Sequence, residues 1–184
     1  MTLTKTPICN FGEKAKDFNL LSTKNKKVSL AEVKGENGTL IMFICNHCPY
    51  VKAVIKEIAQ DVNFFESLGI KSAAIMSNDV KNYPEDSFEN MISFTKLHNF
   101  SFPYLIDESQ KVAKDYGAVC TPDFFGYNNK LELQYRGRIR ELKNLKPVGK
   151  ENSDLRIAMQ LIATSGKGPK NQIPSMGCSI KWFE

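Results

Sequence analysis

The chain has 184 residues, 42% of them hydrophobic and 24% charged, the balance of one globular domain rather than of a disordered or fibrous chain. No apolar run approaches the roughly 20 residues that span a membrane, and the formal net charge of +5 comes from scattered lysines and arginines, so neither membrane insertion nor nucleic-acid binding is expected. The opening MTLTKTPICNFGEKAKDF has no apolar stretch of the secretory type, which makes a cytoplasmic location the expectation.

In chain order, residues 1–38 read as a polar extension with short apolar pieces at 18–21 and 28–30, an irregular lead-in followed by a small hairpin. Residues 39–44 (TLIMFI) are an unbroken apolar run of strand length. The run ends at Cys45, and Pro49 suits the first turn of a helix, where its missing N–H costs nothing. Val51, Val54, Ile55, Ile58, Val62 and Phe65 then recur at helical spacing until Gly69. Residues 70–76 read as a strand, 78–84 as a loop, 86–98 as a helix and 103–106 as a short extended piece. A short helix over 109–116 is closed by Gly117. Strands at 123–127 and 131–135 flank an Asn128-Asn129 turn, and a last helix covers 155–162. The Gly/Pro-rich residues 166–184 read as an irregular tail. This order predicts an α/β layer with helices on both faces of a central sheet. A single domain over 1–184 is expected, with its core at about 39–165.

The segment Cys45-Asn46-His47-Cys48 lies where the first long strand hands over to its helix, at the strand's carboxyl end, where open α/β sheets place their chemistry. Thiolate is the reactive form of cysteine, and a helix N-terminus favours it through partial positive charge and unpaired N–H groups. Cys45 therefore reads as an exposed, acidified nucleophile assisted by His47. Cys48, inside the first turn, reads as the more buried resolving thiol. A zinc or copper site and purely structural burial are the rival readings. A closed zinc site needs four ligands, and the chain has no second Cys-x-x-Cys and only His47 and His98 as histidines. No metal and no organic cofactor are expected.

With this motif in a strand–helix unit and Thr121-Pro122 ahead of a late strand, the chain resembles the thioredoxin superfamily. The resemblance implies a thioredoxin-like fold: a central mixed sheet flanked by helices, here with an N-terminal β-hairpin extension and an irregular C-terminal tail. It also implies that Pro122 is a cis-proline beside the dithiol, with Thr121 before it, where extended partner backbone is held. More closely, the chain resembles the peroxiredoxin-like group labelled redoxin or AhpC/TSA-like. The matching pieces are GEKAKDFNL (12–20), CNHCPYV (45–51), GAVCTPDFF (117–125), YRGR (135–138) and GCSIKW (177–182). Peroxiredoxins proper carry Pro-x-x-x-Thr/Ser-x-x-Cys. Here Cys48 takes the peroxidatic position and Pro49 follows it, but Ile41 stands at the proline and Cys45 at the threonine. The late arginine is replaced around Thr121-Pro122, so efficient peroxidase chemistry of that kind is not expected. Arg136, Arg138 and Arg140 read as a solvated strand or hairpin end. Histidine beside the second cysteine resembles protein disulfide isomerase and the periplasmic disulfide oxidant, which implies a more oxidising pair than thioredoxin.

Of the remaining cysteines, Cys120 precedes Pro122 by two residues. It reads either as a third redox thiol or metal ligand, or as a small buried residue. Cys178 reads as packing that pins the tail with Ile180 and Trp182, against the alternative of a resolving thiol on a mobile segment. Cys9 reads as incidental, and His98 as capping or packing. The function expected is thiol–disulfide exchange with a protein or low-molecular-weight thiol/disulfide partner. A thiol-dependent peroxidase acting on peroxide is the alternative, and a metal carrier or sensor on Cys45, Cys48 and Cys120 the third reading.

Overall fold

The computed structural model describes residues 2–149 and 151–183. Its elements are β1 (Leu3–Lys5), β2 (Asn19–Ser22), β3 (Lys27–Ser29), β4 (Gly38–Phe43), α1 (Pro49–Glu66), β5 (Ile70–Met76), a 3₁₀ turn (Pro84–Asp86), α2 (Phe88–Leu97), β6 (Tyr104–Ile106), α3 (Lys111–Tyr116), β7 (Cys120–Thr121), β8 (Asp123–Tyr127), β9 (Leu133–Arg136), β10 (Leu142–Lys143), β11 (Lys146–Pro147), α4 (Asp154–Ser165) and β12 (Met176–Ser179).

The central sheet runs β3-β2-β6-β5-β4-β8-β9. Its middle strands β4, β5 and β6 are parallel, and β2, β3, β8 and β9 add antiparallel wings. The sheet is therefore mixed, as expected. Side chains alternate across a strand. Leu40, Met42 and Ile44 face one layer, built from the apolar stripes of α1, α2 and α4. Ile41 and Phe43 face the other, where Val112, Ala113 and Tyr116 of α3 pack with Ile180 of the tail. Both faces are covered, which is why β4 is an unbroken apolar run. Helices α1 and α4 are joined by polar groups as well as packing. The Ser153 hydroxyl caps α4 by accepting from the Arg156 amide at 2.9 Å and donates to Asp61 of α1 at 2.6 Å.

Two readings are corrected here. The helix expected over 86–98 is divided: Pro84–Asp86 form the 3₁₀ turn, and Ser87 caps α2 by accepting from the Asn90 amide. The tail is irregular over 166–175, but Met176–Ser179 form a strand that lies between β1 and β7 in a second sheet. Glycine permits this close approach, since a Cβ at Gly177 would stand 2.0 Å from the Thr121 carbonyl oxygen. Beyond β12 the chain stays tied down. The Ile180 amide donates to the Val119 carbonyl at 3.1 Å, and the Lys181 carbonyl accepts from the Asp79 amide at 2.8 Å and Gln110 Nε2 at 2.7 Å. Cys178 and Ile180 are buried, as the packing reading expected, while Trp182 keeps 38% of its surface exposed. Among the described residues no helix is long and apolar enough to cross a membrane.

Replacing Gly177 with alanine forces β12 off β7. Amide hydrogen exchange of residues 177–180 is expected to accelerate while that of β4 and β5 stays unchanged.

Candidate active site

The turn between β4 and α1 is shaped by one carboxylate. Asp86 is fully buried. Its Oδ1 accepts from the amides of Asn46 at 2.7 Å and His47 at 3.3 Å, and its Oδ2 from Asn78 Nδ2 at 2.8 Å and His47 Nδ1 at 2.7 Å. Burial alone would push this carboxyl up, but the bonds from His47, Asn78 and Asn46 hold it below the usual range. The same bond raises the His47 imidazole above its ordinary value, against the effect of burial. The ring stacks on Tyr83 with the planes 12° apart. The Tyr104 hydroxyl donates to Asn46 Oδ1 at 3.0 Å and completes the turn.

Three sulfurs meet beside this turn. Cys48 is the N-cap of α1, directly ahead of Pro49, and its Sγ lies 3.1 Å from Cys178 Sγ and 3.1 Å from the Thr121 carbonyl. Cys45 Sγ lies 3.3 Å from Thr121 Oγ1. The Thr121–Pro122 peptide is cis, as the resemblance implied. Within the pair, a hydrogen bond from Cys45 favours the Cys48 thiolate. This holds the Cys48 thiol down at about 5, against burial and with help from Cys178 and the amides of Val51 and Cys178. The helix end acts in the same direction, while the Thr121 carbonyl favours the protonated sulfur. Cys45 is pushed well above the ordinary thiol range, first by that shared bond, then by burial and the Asp86 charge. The Cys178 thiol is pushed up to about 12, first by burial and then by its contact with Cys48.

The exposure and the position relative to the helix end expected of Cys45 are corrected here. The helix begins at Pro49, so its N-terminus acts on Cys48, and Cys45 sits in the preceding turn. Neither sulfur is exposed: Cys45 retains 1% and Cys48 0% of its surface. His47 is committed to Asp86 rather than to Cys45, although a smaller attraction links its ring to Cys48. Cys120 is buried in β7 with Sγ 3.7 Å from the Pro122 carbonyl, and burial drives its thiol far up. The third sulfur in contact with Cys48 is Cys178, which the sequence reading assigned to packing. Asp86, Asn78 and Tyr104 were also missed, because each acts across the fold and carries no local motif.

The arginines are structural. Arg136, read as solvated, is buried on Asp123 at 2.9 Å, with its guanidinium 4.5 Å above the Phe125 ring. Arg138 and Arg140 are paired at 2.6 Å with Asp154 and Glu57. Donor atoms of Cys45, His47 and Asp86 lie within 4.8 Å of one another, but both Asp86 oxygens already accept hydrogen bonds, so the cluster reads as a hydrogen-bonded unit. A pocket of about 280 Å³ opens beside Pro122, lined by Tyr50, Val54, Ile139 and Arg138.

A model of the AhpC/TSA family matches residues 11–142. Among solved structures, an uncharacterized conserved protein from Geobacillus kaustophilus is 39% identical, with a TM-score of 0.94 over 100% of this chain and 97% of that one. A hypothetical protein from Sinorhizobium meliloti 1021 is 35% identical, with a TM-score of 0.90 over 98% of each chain. A thiol:disulfide interchange protein of the thioredoxin family from Chlorobium tepidum is 16% identical, with a TM-score of 0.60 over 83% of this chain and 94% of that one, a likeness of fold. No curated protein matches the chain.

Removing the Asp86 carboxylate strands several donors, the half-buried His47 ring among them. Asp86→Ala is expected to destabilise by roughly 3–5 kcal/mol in denaturant titration, and Asp86→Asn to lower the His47 midpoint followed by NMR. The His47 value is raised above 6.5 and that of Asp86 lowered below 3.8. The pair therefore contributes fully between those two pH values. Its contribution fades above them as His47 loses its proton and below them as Asp86 gains one.

Proposed function

Because this chain belongs to the AhpC/TSA family of thiol redox proteins, we propose that it is a thiol–disulfide oxidoreductase whose attacking sulfur is Cys48. The observation that carries the reading is Cys48 at the N-cap of α1, its thiolate favoured by the Cys45 thiol and the helix end. The partner is a protein or low-molecular-weight disulfide. Cys48 thiolate attacks one partner sulfur, an S–S bond forms to Cys48, and the other partner sulfur leaves as a thiolate. Cys45 then attacks Cys48. The mixed disulfide breaks, a Cys45–Cys48 disulfide forms, and the Cys45 proton goes to the departing thiolate. Two electrons pass from the protein dithiol to the partner, and the reverse sequence oxidises a partner dithiol. Thr121 Oγ1, 3.3 Å from Cys45 Sγ, orients the resolving thiol. Pro122 and the Thr121 backbone form the edge on which extended partner backbone lies. His47 acts through Asp86, as a positioning residue for the turn.

Burial of Cys48 supports a second reading, reduction of a peroxide small enough to reach it. There Cys48 becomes a sulfenic acid and Cys45 condenses with it to a disulfide and water. Against this, Cys45 holds the position of the peroxide-orienting threonine, and Arg136, Arg138 and Arg140 are committed to carboxylates. Peroxide consumption no faster than that of free thiols excludes this second reading.

Cys48→Ser is expected to drop exchange with a small disulfide to background, measured by stopped flow. In the intact protein the thiolate population falls as pH drops through the Cys48 value of about 5. The rate should therefore be flat above roughly pH 6 and fall about tenfold per unit well below pH 5. A midpoint near the ordinary thiol value of about 8.5 would overturn the assignment of Cys48.

A further inference from the structure

The exchange described above uses two sulfurs, and a third is in contact with them. Cys178 Sγ is 3.1 Å from Cys48 Sγ, about 1 Å beyond a disulfide bond length of roughly 2.05 Å. Its backbone is held as firmly as its sulfur. Cys178 is the direct antiparallel partner of Thr121, with Leu3 of β1 opposite it on the other side. Thr121 precedes the cis-proline, on the edge assigned above to extended partner backbone. Strand β12 thus lies where a partner strand would lie, with a cysteine facing the attacking sulfur. Gly177 brings it this close, since any Cβ there would collide with the Thr121 carbonyl. Ser175 adds a further tie, its hydroxyl donating to the Pro122 carbonyl at 2.7 Å.

We propose that Cys178 is a third catalytic thiol of this site, competing with Cys45 for the bond to Cys48, so that the oxidised protein interconverts between Cys45–Cys48 and Cys48–Cys178 disulfides. The inference rests on the dithiol reading for the origin of the first disulfide. Interconversion is internal and needs no further oxidant. Cys178, losing its proton, attacks Cys48 of the Cys45–Cys48 bond. The new bond joins Cys48 to Cys178, and Cys45 leaves as a thiolate and takes up the proton. In one form the tail is fastened covalently over the site, and in the other it is held by hydrogen bonds and packing alone. The partner edge at Thr121 is therefore open to competition only when Cys178 is reduced.

The test is to oxidise the full chain with 2-hydroxyethyl disulfide, quench in acid, and map disulfide-linked peptides by mass spectrometry without reduction. The wild-type protein is expected to yield both the Cys45–Cys48 and Cys48–Cys178 linkages, and Cys45→Ser the Cys48–Cys178 linkage in nearly every molecule. Gly177→Ala should cut the yield of the Cys48–Cys178 linkage several-fold relative to the Cys45–Cys48 linkage. If Cys45→Ser stops at a hydroxyethyl adduct on Cys48, or carries no Cys48–Cys178 peptide, the proposal is wrong. Should that variant fail to fold, the absence of the peptide from the oxidised wild-type protein overturns it equally. The dithiol reading is judged separately by Cys178→Ser, where of these two linkages Cys45–Cys48 alone remains available. Its absence there refutes that reading whatever Cys178 does.

Discussion

The turn that carries the candidate site depends on one buried carboxylate. Asp86, fully buried, gathers four N–H donors from Asn46, His47 and Asn78. A buried charge is tolerated only when its lone pairs are satisfied. Two of these donors are backbone amides of the turn that leads into α1, so the carboxylate fixes the path of the chain between the two cysteines. It also sets the sign of the local field. A negative charge close to Cys45 discourages a second one there, which leaves the helix N-terminus at Cys48 as the place for the thiolate.

In the proposed exchange the thiols therefore divide the work by position on the backbone rather than by order in the motif. The thiol at the helix cap is held low, and the thiol in the turn is pushed up. Neither sulfur faces solvent, because β12 and β7 close over them. Access to these sulfurs requires local opening, and the strand over them, β12, is only four residues long but is paired on both sides, by β1 and by β7.

How much could be read in the sequence follows from the range of the forces involved. The run TLIMFI and the stripe from Val51 to Phe65 announce β4 and α1 because burial on two faces or on one imprints a period on neighbouring residues. Pro49 marks the helix start, and with it the motif's place at the strand's carboxyl end. The short strands β7, β10, β11 and β12 have 2–4 residues each, too few for any period to register. The helix expected over 86–98 failed at Ser87, whose capping bond divides it. Contact between Cys48 and Cys178 spans 130 positions and depends on Gly177 lying flat against Thr121, a steric fact without a local signature. For the same reason the sequence pattern could name the pair of cysteines but not which of them the helix would favour.

Asn78 joins these parts through a single primary amide. Its Nδ2 donates to Asp86 at 2.8 Å, while its Oδ1 accepts from the backbone of Lys181 at 2.9 Å, just past β12. The two ends of this amide have opposite polarity, and the two grips need both. An aspartate in this place would keep the acceptor and lose the donor, setting a second carboxylate against Asp86, so only the amide can hold both the turn beneath the thiols and the tail beyond β12.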